Sequence, residues 1–356
     1  MQVTRIDTLQ EFERLKPEWK MACEKDAHQT IFLSWDWLRG WFEATPYAWS
    51  VLAARPAPGA PYVAFFPVGM RRVQKYGVDL VRELRMGGNP CADYTGFICP
   101  PEYEREAIPA FADFVQQHIR WDRFHLQDVA DPRLELFLKC FPGGRYEVQD
   151  IDCLPCLYIP LPENWDRFAQ DSLGRWARRD LNRFFRRLEE GDEFRMVHVQ
   201  DGNPEAQIEA MLGLWRLQWA NGRDLERECE VYRAIFRRCL ARDCFWLAVL
   251  WHGQRPLAGL AGLMDRQRAT FCAYIAAYDP AYAKLSPGKG MCGYGIRYAI
   301  ENGFRVFDFL RGQAEYKLQF NPEKHFNQNA LIRRNNLRRA MGGVAKRWWS
   351  PMGELR

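Results

Sequence analysis

Long apolar runs are absent from this 356-residue chain. No stretch approaches the roughly 18 apolar residues that a membrane-spanning helix needs. The opening segment, "MQVTRIDTLQEFERLK", has neither an apolar core nor a cleavage signature, so it does not resemble a signal peptide. We therefore expect a soluble cytoplasmic protein without a transmembrane segment.

Net charge is also small. The chain has 50 basic and 45 acidic residues, which gives a formal charge of +5. Proteins that bind nucleic acid through their overall charge are far more basic. We therefore expect no DNA partner, and only local basic patches remain as candidate anion sites.

Organised cysteine and histidine motifs are missing as well. The cysteine count of 11 is odd and no export signal is present, so a disulfide framework is not expected. One close pair, Cys153 and Cys156, lacks the second CxxC that would complete a zinc site, and we predict two buried thiols. The six histidines show no HExxH spacing, so we predict no metal.

Two α/β units account for what is present. Residues 1–152 contain helical segments, two apolar runs typical of a β-hairpin, a further helix and a strand. Residues 153–356 contain the longest helical pattern, "GRWARRDLNRFFRRLEEG", then more helices and a series of strands. We predict an α/β (α+β) fold with two domains, 1–152 and 153–356. The basic tail is expected to dock Trp348 and Trp349 onto the body.

A glycine-bearing turn, "KLSPGKGM", joins a predicted strand to a predicted helix. Unpaired N–H groups at a helix start attract an anion, and glycines allow a diphosphate to approach the backbone. The candidate phosphate-binding residues are Lys284, Ser286, Gly288, Lys289 and Gly290. Two interpretations stay open, because such turns also serve simply to begin a helix.

Motifs along nearly the whole chain then follow a known order. They are "FLSWDWLRGWFEA", "GGNPCADYTGFICPPE", "CLYIPLPENWDRFAQDSLGRWARRDLNRFFRRLEEG" and the block Ser286–Lys317, "SPGKGMCGYGIRYAIENGFRVFDFLRGQAEYK". In this order and spacing the chain resembles the GNAT acyltransferase superfamily. Within it, the chain is similar to the CelD-type proteins associated with cellulose and exopolysaccharide, which are related to FemAB.

The resemblance implies two GNAT-like folds in tandem, each a mixed, mostly antiparallel sheet flanked by helices. It also implies acyl transfer from acyl-CoA, as co-substrate, to an amine. The family's diphosphate turn has the form (Arg or Gln)-x-x-Gly-x-(Gly or Ala). Gly288 and Gly290 match this form, whereas Leu285 departs from its first position and Lys284 stands one residue early. FemAB-related proteins use aminoacyl-tRNA instead, which makes tRNA an alternative donor.

Candidate catalytic residues follow the helix. Asp308 lies between two phenylalanines, where burial raises a carboxyl pKa, so it is a candidate base; alternatively it pairs with Arg311 or a backbone group. The Tyr316 hydroxyl could protonate a thiolate, and Lys317 could hold a carbonyl oxygen or a phosphate. A solvated charged turn is the alternative for both. Arg311 and Glu315 are candidates for substrate binding.

Two further groups are candidates for substrate binding. Asp93 and Tyr94 lie in a loop, where they could line a cleft or form an Asx turn. Arg175, Arg178 and Arg179 begin the arginine-rich helix and are candidates for binding an anion. A solvated face and a membrane-surface helix are the other interpretations of this helix.

The leading hypothesis is an N-acyltransferase that moves an acyl group, with acetyl expected, from acyl-CoA to an amine. The resemblance to CelD-type proteins implies an amino sugar or polysaccharide precursor as acceptor. No GxSxG signature is present, so direct transfer is favoured over an acyl-enzyme. The first domain is expected to be structural and to shape the acceptor site. The alternatives are an aminoacyl-tRNA-dependent transferase and a non-catalytic component of an envelope polysaccharide system.

Overall fold

The computed structural model describes residues 1–75, 78–191, 193–219 and 224–335. Trp348 and Trp349, predicted to dock onto the body, lie outside the described residues. By its internal contacts the chain divides into two units. The first contains Met1–Leu38, Thr45–Cys153 and the segment from Phe326 onward, and the second contains Arg39–Ala44 and Leu154–His325.

Helices and strands alternate along the first part of the chain. Their bounds are β1 (Gln2–Ile6), α1 (Leu9–Arg14), α2 (Lys16–Lys25), α3 (Trp35–Ala44), β2 (Ala48–Arg55), β3 (Ala64–Lys75), β4 (Val78–Met86), α4 (Glu104–His118), β5 (Arg123–Val129), α5 (Leu134–Leu138) and β6 (Tyr146–Asp150). Local signals set several of these boundaries. Thr8, for example, begins α1 because its side chain accepts a hydrogen bond from the Glu11 N–H.

Helices and strands also make up the second part of the chain. Its elements are β7 (Pro155–Pro160), α6 (Trp165–Asp171), α7 (Arg175–Glu190), β8 (Phe194–His198), α8 (Pro204–Gln218), α9 (Leu225–Leu240), β9 (Phe245–His252), β10 (Arg255–Asp265), β11 (Thr270–Tyr278), α10 (Pro287–Glu301), β12 (Val306–Arg311), α11 (Glu315–Leu318), β13 (Glu323–Phe326) and β14 (Gln328–Arg334). Gly191 follows α7 with φ +70° and Gly303 lies just after α10 with φ +76°. Both are left-handed conformations that glycine adopts at helix ends.

A seven-stranded sheet in the order β1-β2-β3-β4-β5-β14-β6 organises the first unit. The predicted hairpin is confirmed, because β2 and β3 pair antiparallel, with Val51 opposite Pro67. Only the β4–β5 pair is parallel among the strand pairs described for this sheet. Buried phenylalanines fill the core between this sheet and its helices: Phe66, Phe97, Phe111, Phe124 and Phe137.

The strand β14 departs from the predicted division at residue 152. Although the predicted second domain was 153–356, β14 pairs in the first sheet, with Ile332 opposite both Phe124 and Val148. Ala330 and Ile332 are buried in the first unit's core, which explains the pairing. In that sheet β14 lies between β5 and β6 and pairs with both.

A second seven-stranded sheet, in the order β13-β7-β12-β11-β10-β9-β8, organises the second unit. The β11–β12 pair is parallel, and β8, β9, β10 and β11 follow one another antiparallel. Helices cover both faces. A Cβ at Gly259 would lie 2.5 Å from Met211 of α8, whereas one at Gly295 of α10 would lie 2.5 Å from Leu260. Neighbouring residues of β10 therefore face different helices, and the predicted α/β class is confirmed.

The cysteines form no disulfide, and all eleven are free. Cys156 is buried, as predicted, but Cys153 is only half-buried. Its thiol lies 3.0 Å from the carbonyl oxygen of Asn327. The prediction of two buried thiols therefore holds for Cys156 alone.

Candidate active site

An opening between two parallel strands is the main feature of the second unit. β11 and β12 pair at three levels, and the described pairing ends where Cys272 meets Asp308. Beyond this level β12 shifts register at a bulge and continues along β7, while β11 runs on to Tyr278. The two strands thus part at the end of the sheet from which the chain leads into α10. We call this opening the β11–β12 gap.

Asp308 lies at the root of the gap, where it stabilises the bulge. Its Oδ1 accepts a hydrogen bond of 2.7 Å from the Leu310 N–H. Leu310 has φ +60°, a left-handed conformation that is unfavourable for a branched side chain. Asp308 is only 6% exposed. The contact agrees with the interpretation of Asp308 as a partner of a backbone group.

Tyr316 follows the gap on α11. Burial raises the pKa of its phenol well above the usual range, and the nearby Cys292 and Tyr278 raise it further. These two neighbours place Tyr316 beside both α10 and the end of β11. Within the described residues, its hydroxyl makes no hydrogen bond. The group therefore keeps its proton at neutral pH and has one to donate.

Lys317, which follows Tyr316 on α11, is bound to the backbone. Its Nζ donates to the backbone carbonyls of Phe309, Arg311 and Gly312 at 3.0, 3.2 and 3.1 Å. Three bonds occupy all three protons of an ammonium group. Lys317 is 8% exposed and holds the loop between β12 and α11. The contacts correspond to neither proposed ligand role, because the acceptors belong to the backbone.

The N-terminus of α10 opens beside the gap. The first helical bond runs from the Gly290 N–H to the Ser286 carbonyl, so the N–H groups of Gly288 and Lys289 have no partner within the helix. The Ser286 side chain makes no capping bond. A Cβ at Gly288 would meet nothing closer than Tyr278 at 3.6 Å. Two donors and open space therefore make this turn able to accept an anion.

Gly290 and Lys289 are used for packing instead. A Cβ at Gly290 would lie 2.3 Å from the Phe184 ring, so glycine allows α7 to pack closely on α10. Lys289 Nζ contacts Asp180 Oδ2 at 2.6 Å and Gln319 Oε1 at 2.9 Å. Gly290 matched the diphosphate pattern and Lys289 was a candidate for its positive charge, but their contacts are with α7 and the end of α11. Lys284 is exposed.

The arginine helix divides into two parts. Arg178 donates to the carbonyls of Gln170 and Leu173 at the end of α6, at 3.0 and 3.2 Å. Arg179 stacks over the exposed Trp176 ring at 4.3 Å, and Arg175 is exposed. The guanidinium of Arg178 is thus occupied structurally.

Two arginines that sequence reasoning passed over, Arg183 and Arg187, line a groove instead. A usable signal existed in the sequence. Arg183 and Arg187 are four residues apart, and Arg183 follows Asp180 by three, so all three share one helix face. The side chain of Asp180 binds Lys289 at the start of α10, which brings this face to the turn.

Asp93 and Tyr94 belong to the first unit. Tyr94 is 6% exposed, and its ring meets Phe32 edge-on at 5.8 Å. The Asp93 carbonyl accepts a hydrogen bond of 2.9 Å from the Asn327 side chain. The Tyr94 ring is therefore part of the unit's interior rather than of an open cleft. In the second unit, Arg311 is half-buried and Glu315 is exposed.

Comparison with known families identifies part of this architecture. Residues 175–318 match the acetyltransferase (GNAT) domain, which spans the chain from the start of α7 to the end of α11. The matched segment therefore contains the β11–β12 gap, the α10 turn and Tyr316. The chain is an enzyme of the acyltransferase class. A comparison with curated proteins found no match.

Solved structures agree on the fold of the whole chain. FemX superposes with a TM-score of 0.62 at 10% identity, over 97% of this chain and 99% of its own. A tandem GNAT protein from the clavulanic acid biosynthesis pathway superposes with a TM-score of 0.55 at 9% identity, over 94% of this chain and 99% of its own. L-PGS from Bacillus licheniformis superposes with a TM-score of 0.54 at 10% identity, over 96% of this chain and 97% of its own. The predicted tandem GNAT-like fold is thus confirmed, and identities this low show the fold alone.

The described residues contain neither a candidate membrane span nor a candidate metal site. None of their helices combines the length and the apolar content needed to cross a membrane. They also contain no group of three or more His, Cys, Asp or Glu side chains placed to hold a metal ion.

Proposed function

We propose that this enzyme transfers an acyl group, with acetyl the expected one, from acyl-CoA to an amine. One observation carries the proposal: the β11–β12 gap ends beside an α10 N-terminus whose first N–H groups lack helical partners. The thioester-bearing arm of acyl-CoA needs an extended opening, and its diphosphate needs backbone N–H donors. The two features adjoin within the segment that matches the GNAT domain.

The reaction needs few groups. The amine nitrogen attacks the thioester carbonyl, so a C–N bond forms, the C–S bond breaks and CoA leaves as a thiolate. Tyr316 donates its phenol proton to that thiolate and is reprotonated by the proton that the attacking amine releases. A raised phenol pKa keeps this proton available at neutral pH. In this proposal Asp308 maintains the bulge that opens the gap, and Lys317 positions Tyr316.

The proposed acceptor is an amino sugar or a polysaccharide precursor, as the resemblance to CelD-type proteins implies. We place the reaction in the cytoplasm, where acyl-CoA is available. The substrate roles of Asp93, Arg311 and Glu315 remain part of this proposal, whereas the buried Tyr94 ring is left out of it.

Calorimetric binding of acetyl-CoA and longer acyl-CoA tests the donor. Wild type is compared with Gly288→Glu and with its neutral isostere Gly288→Gln. The glutamate places a carboxylate beside the diphosphate, and we expect a loss of affinity of at least about tenfold, whereas the glutamine variant should bind within a few-fold of wild type. If wild type binds no acyl-CoA and releases no CoA with a panel of amines, the proposal is wrong.

A second candidate is an aminoacyl-tRNA-dependent transferase. It is favoured by Leu285, which replaces the Arg or Gln of the family's diphosphate turn. Binding to tRNA should then fall steeply as salt rises, because each phosphate contact releases counterions. Absent or salt-insensitive tRNA binding would reject this candidate.

A further inference from the structure

A groove opens beside the first turn of α10. Its walls combine apolar side chains with charged ones. The lining residues are Asp180, Arg183, Phe184, Arg187, Leu188, Phe194, Leu250, Leu257, Leu285 and Pro287. Leu285 and Pro287 flank Ser286, so one end of the groove adjoins the turn proposed to bind the diphosphate.

The charges in this groove are unbalanced. Arg183 and Arg187 lie one helical turn apart on α7 and are both exposed. No described carboxylate lies within the 4 Å of an ion pair from either guanidinium. Asp180, the acidic group of the lining, is already bound to Lys289 at 2.6 Å. Two guanidinium groups therefore face the groove without an ion-pair partner among the described residues.

We propose that this groove binds the adenosine 3′-phosphate end of the acyl-CoA donor. Arg183 and Arg187 would bind the 3′-phosphate through charge-assisted hydrogen bonds, for which the planar guanidinium is well suited. The apolar lining would contact the adenine. This inference rests on the proposed function, and it adds the residues that would distinguish CoA from other thioesters.

Two features favour a nucleotide. In CoA only the ribose and its linkage separate the diphosphate from the 3′-phosphate, and the groove begins at the turn itself. A tRNA, in contrast, needs a row of phosphate contacts along an extended surface, whereas these two arginines share one small groove.

Binding of CoA and of 3′-dephospho-CoA, measured by calorimetry, tests the proposal. The proteins are wild type, Arg183→Gln, Arg187→Gln, the double variant and Arg186→Gln. The last is the matched control, because Arg186 lies on the same helix, is exposed, is absent from the groove lining and pairs with Glu190 at 3.7 Å. Thermal melting by circular dichroism confirms that each variant is folded.

We expect wild type to prefer CoA over 3′-dephospho-CoA by on the order of tenfold or more. The double variant should lose this preference while its affinity for 3′-dephospho-CoA changes by less than about threefold. Each single variant should lose part of the preference, and Arg186→Gln should retain all of it. Such a pattern would locate the 3′-phosphate at the two arginines.

Other outcomes overturn the proposal in distinguishable ways. Equal affinity of wild type for the two ligands would reject the subsite and leave the proposed function standing. Failure to bind either ligand would reject both. Loss of the preference in Arg186→Gln as well would show an effect of the overall charge of α7. Salt-sensitive tRNA binding that weakens in the double variant, without CoA binding, would assign the arginines to nucleic acid instead.

Discussion

Gly290→Ala should destabilise the second unit, although it places alanine, the best helix former, inside a helix. The added Cβ would lie 2.3 Å from Cδ2 and 2.4 Å from Cε2 of Phe184. An ordinary contact needs more than a further ångström, so the Phe184 ring or α7 must move. Overpacking of this kind costs about 1–3 kcal/mol, and the severity of the clash favours the upper end. The gain from helix propensity is about 1 kcal/mol, which leaves a net loss of about 2 kcal/mol.

Gly288→Ala is the matched control. It lies two residues away in the same turn, and its Cβ would meet Tyr278 at an ordinary 3.6 Å. Helix propensity should therefore make it neutral or stabilising by up to about 1 kcal/mol. The two variants should therefore differ by about 2–3 kcal/mol, which for a unit of this size corresponds to a difference in Tm of about 4–12 °C.

Thermal melting followed by circular dichroism measures the stability of the two variants. Gly290→Ala should also be less damaging when Phe184 is already alanine, because the ring that clashes is then absent. If the two glycine variants melt together, or if the cost of Gly290→Ala is unchanged in the Phe184→Ala background, then the close packing of α7 on α10 is not what requires Gly290.

Three further predictions concern single side chains. Lys317→Met leaves three backbone carbonyls without their donor and should lower the free energy of unfolding, measured by urea titration, by about 2–4 kcal/mol. An unchanged urea midpoint would show that these hydrogen bonds do not stabilise the loop between β12 and α11. Tyr316→Phe should reduce kcat by about 100-fold in a CoA-release assay with little change in the affinity for CoA, and equal losses in both would indicate a structural role. Burial depresses the pKa of His125 to about 4, so stability should be lost as pH falls from about 6.5 towards 4, where only the unfolded chain binds the proton. His125→Asn should therefore lose about 1–2 kcal/mol less than wild type between pH 7 and 5, and parallel pH profiles would refute this assignment.

The order of elements in the second unit was predictable because each signal is local. The helix before Gly303 and the strand around Asp308 follow from periodicity, and glycine ends helices wherever a left-handed residue is needed. The roles of Gly288 and Gly290 were not predictable in this way. Both fit the same motif, and only the position of α7, fixed by tertiary packing, separates a glycine that faces open space from one that faces Phe184.

The contacts of Asp308 and Lys317 were likewise not predictable from the sequence. The sequence places Asp308 among aromatic residues and so predicts burial. It does not show that the chain bulges two residues later and turns the Leu310 N–H towards the carboxylate. Likewise, the sequence shows a lysine in a charged turn, but its acceptors are carbonyls that come together only when the β12–α11 loop closes. Strand pairing is equally non-local, which is why β14 was assigned to the second domain.

The position of β14 also affects how the protein is made. A ribosome completes residues 154–325 before Gln328–Arg334 emerges, a delay on the order of ten to thirty seconds at about 5–20 residues per second. Throughout that interval β6 has no neighbour in its sheet and β5 keeps one open edge. Open edges recruit other strands, so nascent chains are exposed to misassembly at this stage. A fragment ending at residue 153 would keep those edges permanently, and expression of the first unit alone should therefore include β14 joined through a short linker.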